Sequence, residues 1–289
     1  IIGFIDFKTI LRGILDNATI TKAEASEVMT PELKDAGHTL VEIMLPKDQF
    51  HVYDFDVLKA QYDAVYLSIG AHTDKKLRIE GENANGVMSA VEMLRLIGEN
   101  NPPDFNGKRV VVLGGGNVAM DVARSSVRLG AENVYIVYRR GMEELPARHE
   151  EVEHAEEEGI IFKTLTSPVE ILGDDHKFVT GMRCVEMELG EPDASGRRRP
   201  IVKPDSEFVL DVDCVIMSIG TSPNPLIRNT TKGLETNKHG CFIADENGLT
   251  SREGVYAGGD AVTGAATVIL AMGAGKTAAK AMDEYIQSK

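Results

Sequence analysis

Three consecutive glycines, Gly114, Gly115 and Gly116, followed by Asn117, Val118 and Ala119, are the residues of this sequence best suited to hold a ligand by main-chain groups. Gly114, Gly116 and Ala119 fall on a G-x-G-x-x-A spacing, which lets a dinucleotide's diphosphate settle on backbone N–H groups at a helix N-terminus. Each small residue has a task. Gly114 permits a tight turn, Gly116 lets a diphosphate approach where a Cβ would stand in the way, and Ala119 lets helix and strand lie close. The first helical turn adds unpaired N–H groups and the positive end of the helix dipole. At 25 and 26 positions after Gly114 stand Arg139 and Arg140, where a site for NAD would carry an Asp or Glu for the ribose hydroxyls. Two guanidiniums suit a 2′-phosphate, so these residues point to NADP(H) over NAD(H). The competing readings are an ordinary glycine-rich turn and a solvated basic strand end.

These groups are useful only if the right elements carry them. Val110 to Leu113 form an unbroken apolar run, as expected for a strand buried on both faces of a parallel sheet. Asn117 to Leu129 place Val118, Val122, Val127 and Leu129 at roughly helical intervals, with Gly130 as the stop. Val134 to Tyr138 make a second apolar strand, so Lys108 to Arg140 reads as strand, helix, strand, about the length such a unit requires.

Composition narrows the function classes. The 289 residues carry 45 acidic and 31 basic side chains, a formal charge of -14, which disfavours nucleic acid or an anionic membrane as a partner. With 43% hydrophobic and 26% charged residues, the chain reads as globular, without an apolar run long enough to span a bilayer. Cys184, Cys214 and Cys241 stand 30 and 27 positions apart, so no C-x-x-C dithiol, zinc ribbon, iron–sulfur or other metal site is expected. The opening IIGFIDFKTILRG has no basic stretch before its apolar residues, and a cytoplasmic location is expected.

Elsewhere the chain is read more coarsely. Asp16 onward suggests a capped helical segment, and Val41 to Leu45 a short strand. Tyr62 to Gly70 (YDAVYLSIG) and Cys214 to Gly220 (CVIMSIG) are apolar strands that both end in Ser-Ile-Gly, as expected of two nucleotide-binding domains. Ser89 to Leu96 and Pro146 to Glu158 read as helices, the latter with a solvated glutamate face. Phe162 to Phe208 holds two or three strands with a turn at Pro192 to Gly196; Arg197 to Arg199 fit an exposed hairpin tip better than a phosphate site. Gly254 to Asp260 ends a strand on Gly258, Gly259 and Asp260, before a helix from Ala265 to Tyr285. Gly273 and Gly275 weaken that helix by about 1 kcal/mol each, so close packing is expected there.

Five stretches, VVVLGGGNVAMDVARSSVRLGAENVYIVYRR, ELPARHEEVEHAEEEGI, LGEPDASGRRRP, VIMSIGTSPNPL and GVYAGGDAVTGAATVILAMGAGKTAAKAM, resemble the NADPH-dependent glutamate synthase small (beta) subunit and its relatives. The resemblance runs from about Tyr62 to the C-terminus. It implies an α/β, two-dinucleotide-binding-domain flavoprotein of glutathione/thioredoxin reductase-like architecture, with a Rossmann-like NADP(H) domain inserted in an FAD domain. The boundaries expected are 1–85 for a partial FAD-domain segment, 86–221 for the NADP(H) domain and 222–289 for the C-terminal FAD segment. On the same resemblance Asp260 holds the FAD ribityl chain with Gly259 beside it in the cofactor site, Ala266, Thr267 and Val268 start the helix beneath the flavin ring, and Gly70 and Gly220 end strands at the domain junctions. Gly114 to Ala119 with Arg139 and Arg140 form the NADP(H) site.

The activity implied is hydride transfer from NADPH to FAD and onward to a large catalytic subunit or another electron-acceptor protein. The cofactors carry that chemistry, so no catalytic acid, base or nucleophile is expected. Full-length relatives begin with a cysteine-rich segment and a first G-x-G-x-x-G unit that grips FAD, and this chain carries neither. FAD is therefore expected to bind weakly and the purified protein to be colourless or substoichiometric in flavin. Two other readings remain: an NADP(H)-binding module needing another chain to complete the flavin site, and an assembly subunit binding neither nucleotide. A homo-oligomer is also compatible.

Overall fold

The computed structural model describes residues 59–60, 62–192 and 196–289. The expected helical segment from Asp16, the strand at Val41 to Leu45 and the tip of the Pro192 to Gly196 turn lie outside the described residues. Contacts divide the described residues into two units, 74–220 and those up to 73 together with 221–289. The division falls at Thr73/Asp74 and Gly220/Thr221, where the sequence puts 85/86 and 221/222. The twelve residues between 74 and 85 go with the insert because Leu77, Ile79 and Ala84 pack with Val179 and Met182.

The insert is built on a five-stranded parallel sheet, spatial order β3-β11-β4-β5-β6. Its strands are β3 (Val87–Ser89), β4 (Arg109–Leu113), β5 (Asn133–Val137), β6 (Ile161–Lys163) and β11 (Cys214–Met217). Val110, Val111 and Val112 are each 0% exposed, the burial that the apolar run anticipates. Alternation then sorts them. Val110, Val112 and Ile136 face a core with Met93, Phe105 and Met120, on the side of helices α1 (Ala90–Gly98), α2 (Asn117–Arg128) and α3 (His149–Glu157). Val111, Leu113 and Val137 face Met182, Cys184 and Met217. That second face is covered by antiparallel strands, β7 (Thr166–Gly173), β8 (Val179–Pro192) and β10 (Phe208–Leu210), with β9 (Arg198–Val202) paired to β8. Each large side chain in these cores contributes about 1.5–3 kcal/mol by leaving water.

Helix ends follow local chemistry. Ser89 Oγ accepts from Glu92 N–H at 3.0 Å and caps α1. The helix expected from Pro146 begins only at His149, after a 3₁₀ turn at Met142–Glu144. Its glutamates are not all solvated: Arg124 of α2 holds Glu151 at 3.0 Å and Glu158 at 2.8 Å.

The second unit contains a parallel pair, β1 (Val65–Leu67) with β13 (Val255–Ala257), α4 (Pro225–Thr230), the single turn α5 (Asp260–Thr263) and the 20-residue α6 (Val268–Gln287). Leu67, Ile227, Phe242, Val255 and Ala257 form its core. Short strands β2 (Thr73–Asp74) and β12 (Thr221–Ser222) pair where the chain passes from one unit to the other. Among the described residues a Cβ on Gly273 meets nothing within 4 Å, and one on Gly275 only the Tyr66 hydroxyl at 3.9 Å. Close approach occurs instead at Gly258, where a Cβ would stand 2.2 Å from that hydroxyl and 3.0 Å from Ala274.

Candidate functional site: a glycine turn at a helix mouth

The chain leaves β4 at Gly114 with φ 143°, and the turn is crowded by protein. A Cβ there would lie 2.2 Å from the carbonyl oxygen of Ser218, just past the end of β11. Gly114 N–H donates to Val137 O at 3.1 Å, binding the turn to the end of β5. Gly115 is packed as well, since its Cβ would meet Leu145 at 2.6 Å and the Tyr138 ring at 2.9 Å. Gly116 differs: among the described residues a Cβ on it meets nothing within 4 Å.

Gly116 is also the N-cap of α2, which has neither a side-chain cap nor an acid in its first turn. Ala119 and Met120 N–H groups both donate to Gly116 O, whereas those of Asn117 and Val118 have no partner among the described residues. Free amides, an uncompensated helix dipole and open space above Gly116 form an anion-binding mouth. Ala119 is fully buried against the sheet while Val118, 45% exposed, flanks the mouth. Gly220, with φ 95°, follows β11, the strand beside β4.

The two arginines at the end of β5 part company. Arg139 is exposed and makes no hydrogen bond or ion pair among the described residues. Arg140 is 7% exposed, and its Nε donates to Arg198 O of β9 at 2.8 Å. The two guanidiniums therefore stand in different surroundings: that of Arg139 is exposed, and that of Arg140 is buried with its Nε on the protein. Arg198 in turn ion-pairs with Glu143 at 3.1 Å and with buried Glu144, so the Arg197–Arg199 run is anchored at its centre.

Sequence reasoning assigned no role to Arg148, although it lies in the ELPARHEE stretch. Two hydrogen bonds draw its loop to the mouth, Ala147 N–H to Gly115 O at 3.0 Å and Arg148 N–H to Asn117 Oδ1 at 2.9 Å. Its side chain, 69% exposed, pairs with Glu151 at 2.9 Å.

The other expected constellation lies in the second unit. Gly70 and Gly259 take φ 64° and 63°. Asp260 opens α5, and its Oδ1 accepts from Ala266 N–H at 3.1 Å, folding the loop back before α6. Thr267 caps α6 by accepting from Leu270 N–H at 3.4 Å, and Val268 follows it, 53% exposed. All three cysteines are buried; burial pushes the Cys184 thiol up to about 12 and raises that of Cys214, so neither supplies a thiolate near neutral pH. Among the described residues no His, Cys, Asp and Glu cluster could hold a metal, and no helix is long and apolar enough to cross a membrane.

Against known proteins, residues 10–284 match the family model for pyridine nucleotide-disulphide oxidoreductases. The chain is 41% identical over 235 residues to the NADP(+)-dependent formate dehydrogenase subunit beta of Moorella thermoacetica, covering 80% of this chain and 33% of that one. It is 36% identical over 275 residues to the glutamate synthase [NADPH] small chain of Escherichia coli, covering 90% and 58%. The chain thus spans a third to somewhat over half of these relatives. Among solved structures, Mycobacterium tuberculosis FprA in complex with NADPH superposes with TM-score 0.62 at 24% identity, covering 81% of this chain and 64% of that one. Thioredoxin reductase of T. acidophilum gives 0.59 at 25% identity, covering 76% and 65%.

Proposed function

The chain belongs to the pyridine nucleotide-disulphide oxidoreductase family and has its two-dinucleotide-binding-domain α/β flavoprotein fold, and from that premise we propose that it takes electrons from NADPH into a flavin and passes them to a partner protein. The observation that carries the reading is the open Gly116 at the uncapped mouth of α2, with Arg139 free at the end of the neighbouring strand. The fit to NADP(H) is one of shape and charge: a side chain at Gly116 would fill the space that a diphosphate needs. The amides of Asn117 and Val118 hold the diphosphate, Ala119 keeps α2 close to β4, and Arg139 meets the 2′-phosphate.

In the second unit Asp260 and Gly259 hold the flavin's ribityl chain, while Ala266, Thr267 and Val268 present the start of α6 to its ring. The positive helix end there favours negative charge on a reduced ring. When bound, the nicotinamide and flavin together supply hydride transfer; the protein's own work is to bind and orient. No acid or base of this chain need take part. The glutamate synthase small chain and formate dehydrogenase beta subunit are named as parts of larger enzymes, which supports a partner subunit as the electron acceptor.

A diaphorase assay tests the reading. NADPH with added FAD should reduce an artificial acceptor, NADH should do so less well, and omission of FAD should lower the rate. NADPH binding without acceptor reduction at saturating FAD would remove the enzyme reading and leave a coenzyme-binding module.

A further inference from the structure

We propose that three exposed cations on α4 and the turns after it, Arg228, Lys232 and Lys238, form the docking surface for the electron-accepting partner, and that this partner is a protein presenting an acidic face. The proposal rests on the electron-transfer reading above and adds where the partner sits and what chemistry it offers.

Charge is unevenly distributed in this chain. Its formal charge is -14, and the guanidiniums of Arg95, Arg109, Arg124 and Arg183 each hold a carboxylate of the insert. The stretch from Asn224 to Ile243 differs, with Glu235 as its one acid against Arg228, Lys232 and Lys238. All three cations are exposed, and none makes a side-chain hydrogen bond or an ion pair among the described residues.

Local geometry holds them together. Arg228 lays its guanidinium over Gly240, where a Cβ would stand 2.2 Å from Nη1, two positions from Lys238. The turn beneath is fixed, because Asn237 Oδ1 accepts from the N–H groups of His239 at 2.8 Å and Cys241 at 3.2 Å. Lys232 follows Arg228 by four positions, and its carbonyl accepts from Arg252 Nη1 at 3.1 Å. The dipole at the end of α4 accounts for Arg228 alone. Beyond it, gathering like charges costs the fold a little and returns nothing to it.

This surface is joined to the turn read above as part of the flavin site. Phe242 N–H donates to Ala261 O at 2.9 Å, one residue from Asp260, and Ile227 of α4 shares a core with Phe242 and Ala261. A partner seated on the cations therefore stands beside the turn that holds the flavin. Complementary charge speeds such an encounter and orients it. A small acidic protein meets the local cations, whereas a nucleic acid or an anionic bilayer meets the -14 charge of the whole chain as well.

The test measures binding of flavodoxin, a small acidic electron carrier, to the full chain by biolayer interferometry, with phosphatidylserine vesicles as the membrane control. Two double variants change the charge equally: Arg228→Glu with Lys238→Glu on this surface, and Lys76→Glu with Lys177→Glu at exposed positions of the insert. Wild type should bind flavodoxin, more weakly as salt rises from about 20 to about 200 mM. The surface pair should weaken binding about tenfold or more and the insert pair less than about twofold. Reduction of a small dye by NADPH with added FAD should be unchanged in both. A wild type without affinity for flavodoxin, an equal loss in the two pairs, or a loss in neither overturns the proposal. So does a surface that takes the vesicles in place of flavodoxin. A wild type that binds flavodoxin through these cations but reduces no dye sinks the electron-transfer reading alone and leaves the acidic-protein surface standing.

Discussion

Arg109 and Asp213, 104 positions apart, meet face to face where β4 and β11 begin. Arg109 Nη2 donates to Asp213 Oδ1 at 2.8 Å and Nε to Oδ2 at 3.0 Å, and Arg109 N–H adds a third bond to Oδ2 at 2.8 Å. A forked pair of this kind fixes direction as well as distance, and here it sets the register of the two strands that later carry Gly114 and Ser218.

This pair gives the insert a pH-dependent component of stability. The Arg109 hydrogen bonds hold the Asp213 carboxyl below its ordinary 3.8, so the folded state favours the ionised acid. The contribution is complete above about 3.8 and is lost as pH falls from there through the folded-state value. Thermal unfolding from pH 7 to pH 3 should show a drop confined to the acid end, and Asp213→Asn should flatten it. Because both side chains are 35% exposed, the substitution should cost only about 1–2 kcal/mol at pH 7.

The β4-α2-β5 unit is legible in sequence because a strand buried on both sides leaves a continuous apolar run, and a turn jammed against Ser218 leaves a glycine. The arginines are less legible. Consecutive residues of an extended chain point to opposite sides, so one of Arg139 and Arg140 turns inward, and which one depends on a hairpin 58 positions away. Arg148 could not be read from a local pattern at all, because the bonds that bring it to α2 run to Gly115 and Asn117. Among the described residues the close approach in the second unit belongs to Gly258, which no local helix propensity could single out.

The glycine turn separates fold from function. Gly114→Ala forces a Cβ to within 2.2 Å of Ser218 O at a φ that side chains avoid, and should destabilise the protein on the order of 3 kcal/mol. Gly116→Ala meets open space at an ordinary φ of -90°, so the melting temperature should hold. Its methyl group instead stands where a diphosphate would rest, and NADPH affinity should fall at least about tenfold. A Gly116→Ala protein with wild-type affinity would place the diphosphate elsewhere.

Arg140→Ala should behave as a structural lesion. Removing a buried guanidinium leaves the Arg198 carbonyl without that donor, a cost of roughly 1–3 kcal/mol. Differential scanning calorimetry should report the loss, and the preference for NADPH over NADH should survive in protein that remains folded. A stable Arg140→Ala protein that has lost this preference would return Arg140 to the coenzyme.

Asp260 has two separable tasks, and two substitutions divide them. Its Oδ1 accepts from Ala266 N–H and shapes the loop ahead of α6, while its negative charge is available to flavin hydroxyls. Asp260→Asn keeps an oxygen for Ala266 and loses the charge; Asp260→Ala loses both. If the carboxylate serves the flavin directly, FAD titration followed by fluorescence quenching should show weaker binding in both variants, about tenfold for Asp260→Ala. Loop shaping alone would leave Asp260→Asn near wild type, because a neutral amide oxygen still accepts from the Ala266 N–H.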